Sequence, residues 1–188
     1  MQDLEQGIDH SRRKWLALGG VVLGCALLPG QALASLSTSK PKILTLNNIN
    51  TGEKVRAEFF DGKNYVSEEL SRLNFLLRDY RANQVTKIDK RLFDQLYRIQ
   101  LMVGARGGGE IQLISGYRSP KTNKNLRKHS RGVAKHSYHT LARAVDFRIE
   151  GASLSNVRKA AMKMKAGGVG YYPKSNFVHV DTGPVRAW

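Results

Sequence analysis

The chain has 188 residues, with 31 Lys and Arg against 15 Asp and Glu, and a formal net charge of +16. Its only cysteine is Cys25, which excludes an internal disulfide and any cysteine-rich metal site. The positive balance favours an anionic polymer as partner, but the basic residues are scattered over 87–91, 121–131 and 158–165. No zinc-finger spacing, RNA-recognition signature or aromatic-basic stripe accompanies them, which argues against nucleic acid.

In chain order, Arg12 and Arg13 directly precede an apolar run, Trp15 to Leu28, and Ala32-Leu33-Ala34 comes after it. Paired arginines point to twin-arginine export, and the small-x-small triplet is a signal-peptidase site. The run is shorter than the roughly 20 residues a spanning helix needs, and Gly19 and Gly20 interrupt it. An uncleaved anchor is the alternative; a lipoprotein role for Cys25 is disfavoured by bulky Leu23 and by the apolar run continuing past it. The expected organisation is a twin-arginine signal peptide over 1–34 and one domain over 35–188, delivered to the periplasm without stable membrane insertion.

Within that domain, Ile43–Leu46 and Val55–Phe60 flank a turn-rich segment and predict a hairpin. Ser67 reads as the N-cap of a helix carrying Leu70, Leu73, Leu77 and Tyr80. Asp89 opens a second helix, with Leu92, Leu96, Ile99 and Val103 on one face and Gly104 at its end. Ile111–Ile114 predicts a strand running into the turn Ser115-Gly116-Tyr117-Arg118-Ser119, and 121–131 is polar, helix or loop. Ala144–Ile149 alternates, setting Asp146 on the face opposite Val145, Phe147 and Ile149. Ser153 or Ser155 caps a helix carrying Val157, Ala160, Ala161 and Met164. Two strands close the chain, 169–172 and Phe177–Asp181, the second with His179 and Asp181 on one face.

His139, Asp146 and His179 supply two imidazoles and a carboxylate, the ligand set of an open zinc site whose fourth position takes water. A carboxylate in an apolar strand calls for a cation. The seven-residue spacing of His139 and Asp146 does not fit one helical face, so a loop and two neighbouring strands are the expected carriers. His10 and His129 read as exposed. His136 reads the same way, with a place on the wall of the site as its alternative. Tyr117, Tyr138 and Tyr172 read as packing residues.

Ser137-x-His139-x-x-Ala142-x-Ala144-x-Asp146 resembles the Ser-x-His-x-x-Gly-x-Ala-x-Asp motif of zinc peptidases related to D-alanyl-D-alanine carboxypeptidases, a group that includes the hedgehog-type and lysostaphin-type folds. With the Ser115–Ser119 turn ahead of it and 168–173 and 177–183 behind it, the chain looks like the murein endopeptidases of the MepK type. The resemblance implies an α+β single domain, a small antiparallel sheet carrying one Zn²⁺ with helices packed around it. It implies cleavage of LD cross-links between peptidoglycan stem peptides, with DD cross-links as a further candidate. His139, Asp146 and His179 would be the zinc ligands, with Arg118 near the substrate. Two positions depart from the family: Ala142 replaces a glycine, and Asn176 stands where relatives often carry the acidic general base. Asp181 is then the nearest carboxylate, as base or as the partner that orients an imidazole. A carboxypeptidase on the same ligands, or a non-catalytic wall-binding module, are the alternative functions.

Overall fold

A computed structural model describes residues 40–104, 109–130 and 132–188. The signal peptide expected over 1–34 lies outside the described residues.

The predicted hairpin forms from β1 (Lys42–Asn48) and β2 (Lys54–Phe60). Helix α1 (Ser67–Leu76) comes next, then α2 (Lys90–Val103), β3 (Ile111–Ser115) and α3 (Pro120–His129). A short 3₁₀ helix (Tyr138–Leu141) leads into β4 (Ala144–Ile149) and α4 (Leu154–Met164). Strands β5 (Gly168–Tyr172), β6 (Phe177–Asp181) and β7 (Arg186–Ala187) complete one sheet of order β2-β1-β3-β4-β6-β5-β7. The sheet is larger than expected and not wholly antiparallel, since β1 pairs with β3, and β5 with β7, in parallel.

Two local expectations are corrected. Val66, not Ser67, is the N-cap of α1, and no side chain caps it. That helix stops at Leu76 rather than reaching Tyr80, because Asp79 turns the chain by accepting the Arg81 and Ala82 N–H groups and bridging to Gln84. The other helix starts behave as their residues dictate. Asp89 accepts from the Arg91 N–H, Ser119 from Thr122 and Ser153 from Asn156, each satisfying an orphan donor of the first turn. Gly104 ends α2 with φ 59°.

Helices α2 and α4 pack on each other and on the central strands. Period-2 alternation divides those strands by chemistry. Val145, Phe147, Val178 and Val180 join Leu92, Leu96 and Val157 in the buried core. Asp146, His179 and Asp181 occupy the alternate positions and so face the other side.

Candidate metal centre

Register brings the expected ligands together. Strands β4 and β6 are antiparallel neighbours with Asp146 directly opposite His179. His139 arrives from the 3₁₀ helix, whose start is fixed by Ser137 Oγ accepting the His139 N–H at 3.3 Å. The helix ends at Ala142, which stands where the resembled motif has glycine and holds a left-handed φ 55° and ψ 35°. For an L-alanine that conformation costs roughly 1–2 kcal/mol of steric conflict.

All three side chains are buried. Asp146 Oδ1 lies 2.8 Å from His179 Nδ1 and 3.2 Å from His139 Nε2, and the two nitrogens are 3.2 Å apart. The outer nitrogens fix the tautomers. His139 Nδ1 donates to the Gly116 carbonyl at 2.7 Å, and His179 Nε2 donates to Asp181 Oδ2 at 3.1 Å. With both imidazoles neutral, each inner nitrogen offers a lone pair beside the Asp146 carboxylate, so three acceptors converge on one point, and without a cation a proton on His179 has to relieve them. Donor atoms around a tetrahedral zinc ion with bonds of about 2.0–2.1 Å sit roughly 3.3 Å apart, so this donor set fits such a cation. Among the described residues, His139, Asp146 and His179 are the group able to hold a metal ion.

Titration reflects the same geometry. Burial pushes His139 below the ordinary imidazole value despite Asp146 beside it. Burial also opposes charge on His179, but hydrogen bonds to Asp146 and Asp181 outweigh it and raise the value. For Asp146, desolvation is overcome by the two imidazoles, and the carboxyl falls well below the usual range.

Arg118 does not stand free over the centre. Its Nη2 donates to Asp146 Oδ2 at 2.5 Å and its Nε to Ser115 Oγ at 2.8 Å. The turn that carries it is tied down by Tyr117 N–H to the Leu77 carbonyl and by Ser119 N–H to Asp79 Oδ2. Gly116 is required at this bend, because a Cβ there would lie 2.4 Å from the Leu77 carbonyl oxygen.

Asp181 is fully buried. Oδ1 accepts the Gly168 and Gly183 N–H groups and Arg186 Nη1, while Oδ2 accepts Arg186 Nη2 at 2.6 Å besides His179. Desolvation raises its pKa, but these donors prevail and hold the carboxyl far below its ordinary value. A Cβ at Gly168 would come within 2.4 Å of the Arg186 guanidinium, so that glycine keeps the pairing possible.

Strand β7 and the C-terminal Trp188 went unread in the sequence. Trp188 pairs its backbone with Val169 and Tyr171, donates from Nε1 to the Tyr172 hydroxyl at 2.7 Å, and lays its ring 5.4 Å from that of His179. Tyr172 in turn stacks on Phe177 at 4.5 Å. Arg186 sits over the Tyr138 and Trp188 rings. The only available signals were an arginine and a tryptophan beyond the last predicted strand, too little to assign a partner. The resulting pocket of about 390 Å³ is lined by the three candidate ligands, Arg118, Arg186 and aromatic rings, and also by His136. Asn176 is exposed at φ 53° and is not part of the lining.

Comparison with known proteins places this architecture. Residues 36–188 match the family model described as Peptidoglycan L,D-endopeptidase MepK. Peptidoglycan L,D-endopeptidase MepK of Escherichia coli K12 is 64% identical over 180 residues, covering 96% of this chain and 98% of its own length. The Shigella flexneri protein of the same name gives the same figures. The Haemophilus influenzae protein, named probable peptidoglycan L,D-endopeptidase MepK, is 52% identical over 181 residues, 96% of this chain and 97% of its own. No solved structure matches. With the whole described domain matched and the buried His-Asp-His centre in place, the chain belongs to the MepK family of peptidoglycan L,D-endopeptidases.

Proposed function

We propose that this chain is a zinc-dependent endopeptidase of the cell wall that hydrolyses peptide cross-links in peptidoglycan, with one Zn²⁺ held by His139, Asp146 and His179. The observation that carries the reading is the convergence of three buried acceptor atoms with their tautomers fixed from behind. When bound, zinc supplies a Lewis acid for the scissile carbonyl and lowers the pKa of a coordinated water towards 7 from about 15.7. The chain's own residues supply the setting. Asp181 orients His179, and its saturation by five donor contacts leaves it no lone pair with which to take up a proton. Arg118 fixes Asp146 through one terminal nitrogen, and its remaining Nη1 is the atom available to a substrate carboxylate or developing oxyanion.

The pocket's arginines support that substrate class. Arg118 and Arg186 line the pocket, the carboxylates paired with them are committed, and cross-linked stem peptides carry free carboxylates. LD bonds between two diaminopimelate residues are the expected cleavage point. Activity on peptidoglycan requires export, for which residues 1–34 are the candidate signal. No helix among the described residues is long and apolar enough to cross a membrane.

Mass spectrometry of dimeric muropeptides before and after incubation tests the reading. The zinc-loaded protein should release monomers, and chelator or His139→Ala should prevent it. Release of terminal residues from monomeric stems alone would make the chain a carboxypeptidase. Undiminished cleavage by His139→Ala would remove the metal from the mechanism. Sacculus binding with no peptide released would leave a binding module.

A further inference from the structure

Hydrolysis of a peptide bond, on the function just proposed, needs a group that takes a proton from the attacking water and returns one to the departing amine. We propose that His136 is this catalytic residue. It lies on the loop entering the 3₁₀ helix, three residues before His139, and lines the same pocket as the three ligands. Its side chain is exposed and has no hydrogen-bond partner among the described residues.

The other candidates are spent. Asp146 gives Oδ1 to the two imidazoles and Oδ2 to Arg118. Asp181 is enclosed by Arg186, His179 and two backbone N–H groups. Asn176, where the resembled zinc-peptidase group often carries an acidic residue, is an amide outside the pocket wall. The guanidinium groups of Arg118 and Arg186 have no lone pair to accept with. Tyr172 already accepts from Trp188 Nε1. An imidazole both accepts and returns a proton near neutrality. The charged or titratable groups that share the pocket with His136 are Arg118 on the β3–α3 turn, Tyr138 and His139 on the 3₁₀ helix, Asp146 on β4, Tyr172 on β5, His179 on β6 and Arg186 on β7.

The step balances without a further reactant. Water's oxygen bonds to the scissile carbonyl carbon while one of its protons passes to the free imidazole nitrogen. The carbon–nitrogen bond then breaks, its electron pair staying on nitrogen, which takes the proton from the imidazolium. The products are one carboxyl and one amine, and His136 is restored.

The test compares the full zinc-loaded chain with His136→Gln on dimeric muropeptides. The variant should lose roughly 10²- to 10⁴-fold in kcat and the acidic limb of its pH profile. Its KM, and its zinc affinity measured against a chromophoric chelator, should stay within about two-fold. Added imidazole should partly restore His136→Gly. Independently of turnover, the NMR titration midpoint of the His136 ring should move down when zinc is added, as a nearby cation requires. An unchanged midpoint, a kcat within about two-fold of the unsubstituted protein, or a rate loss that tracks zinc loss would overturn the assignment. If the unsubstituted protein cleaves nothing, the proposed function falls and takes this role with it. If it cleaves and His136→Gln cleaves equally well, the proton role falls alone.

Discussion

Two carboxylate clusters flank the end of β6, and they differ in what their oxygens meet. Asp89 accepts at Oδ1 from the Arg91 N–H and Nε, and at Oδ2 from Arg91 Nη2 at 2.6 Å and the Thr182 hydroxyl at 2.8 Å. Arg143 closes that cluster by donating to the Thr182 hydroxyl and carbonyl. Every acceptor there has a donor, and the network ties the loop after His139 to the start of α2. On the ligand face of the sheet, by contrast, Asp146 and two imidazole nitrogens point lone pairs at one another. Asp146 is buried where Asp89 is only half-buried, and the meeting of acceptor with acceptor marks the candidate metal centre.

The sharpest way to break this contrast is to remove an acceptor from each cluster. Asp146→Asn should abolish cleavage and cost more zinc affinity than the roughly 10- to 100-fold typical of an outer-shell change. Asp89→Ala should leave zinc affinity unchanged in the same chelator competition. Next in size, Asp181→Asn should lower zinc affinity by about 10- to 100-fold, because a neutral amide replaces the carboxylate that holds the His179 Nε2–H. Equal affinities for Asp181→Asn and the unsubstituted chain would return Asp181 to the role of base.

For the donor-satisfied cluster the readout is stability. Asp89→Ala should cost about 1–2 kcal/mol in urea unfolding, through the lost cap and the lost charged hydrogen bonds. Asp89 also carries a pH signature: desolvation raises its pKa, but the Arg91 and Thr182 donors outweigh it and hold the carboxyl at about 2, against 3.8 for the ordinary group. A depressed folded-state value contributes stability above the unfolded pKa and loses it as pH falls through the folded one. The Asp89 share should therefore be complete above about pH 4 and vanish by about pH 2, and Asp89→Asn should flatten that part of the acid-unfolding curve. The smallest effect concerns Ala142: Ala142→Gly should stabilise the chain by about 0.5–1 kcal/mol, since glycine accepts φ 55° without the Cβ conflict. A melting temperature that falls instead would show that the alanine methyl gains more in packing than it loses in strain.

The candidate ligands were legible because their chemistry is local. Donor types are written in the residues, and alternation along Ala144–Ile149 and Phe177–Asp181 assigns faces by a period of two. The cap residues Asp89, Ser119 and Ser153 act within one turn, and of these Asp89 was read outright. The early stop of α1 was missed because Asp79, not helix propensity, decides where the chain turns, and the start at Val66 was missed because no side chain caps it.

What the sequence by itself determined was the donor set, the apolar stripes and the faces of the central strands, all properties of neighbours along the chain. Only the tertiary structure decided the rest: that Asp146 stands opposite His179, that Arg118 serves Asp146, that Arg186 and Trp188 return beside β5 to enclose Asp181 and wall the pocket, and that His136 shares that pocket with the ligands. The reason is physical. Register and parallel pairing join residues far apart in sequence, and a carboxylate's role depends on which donors reach it first.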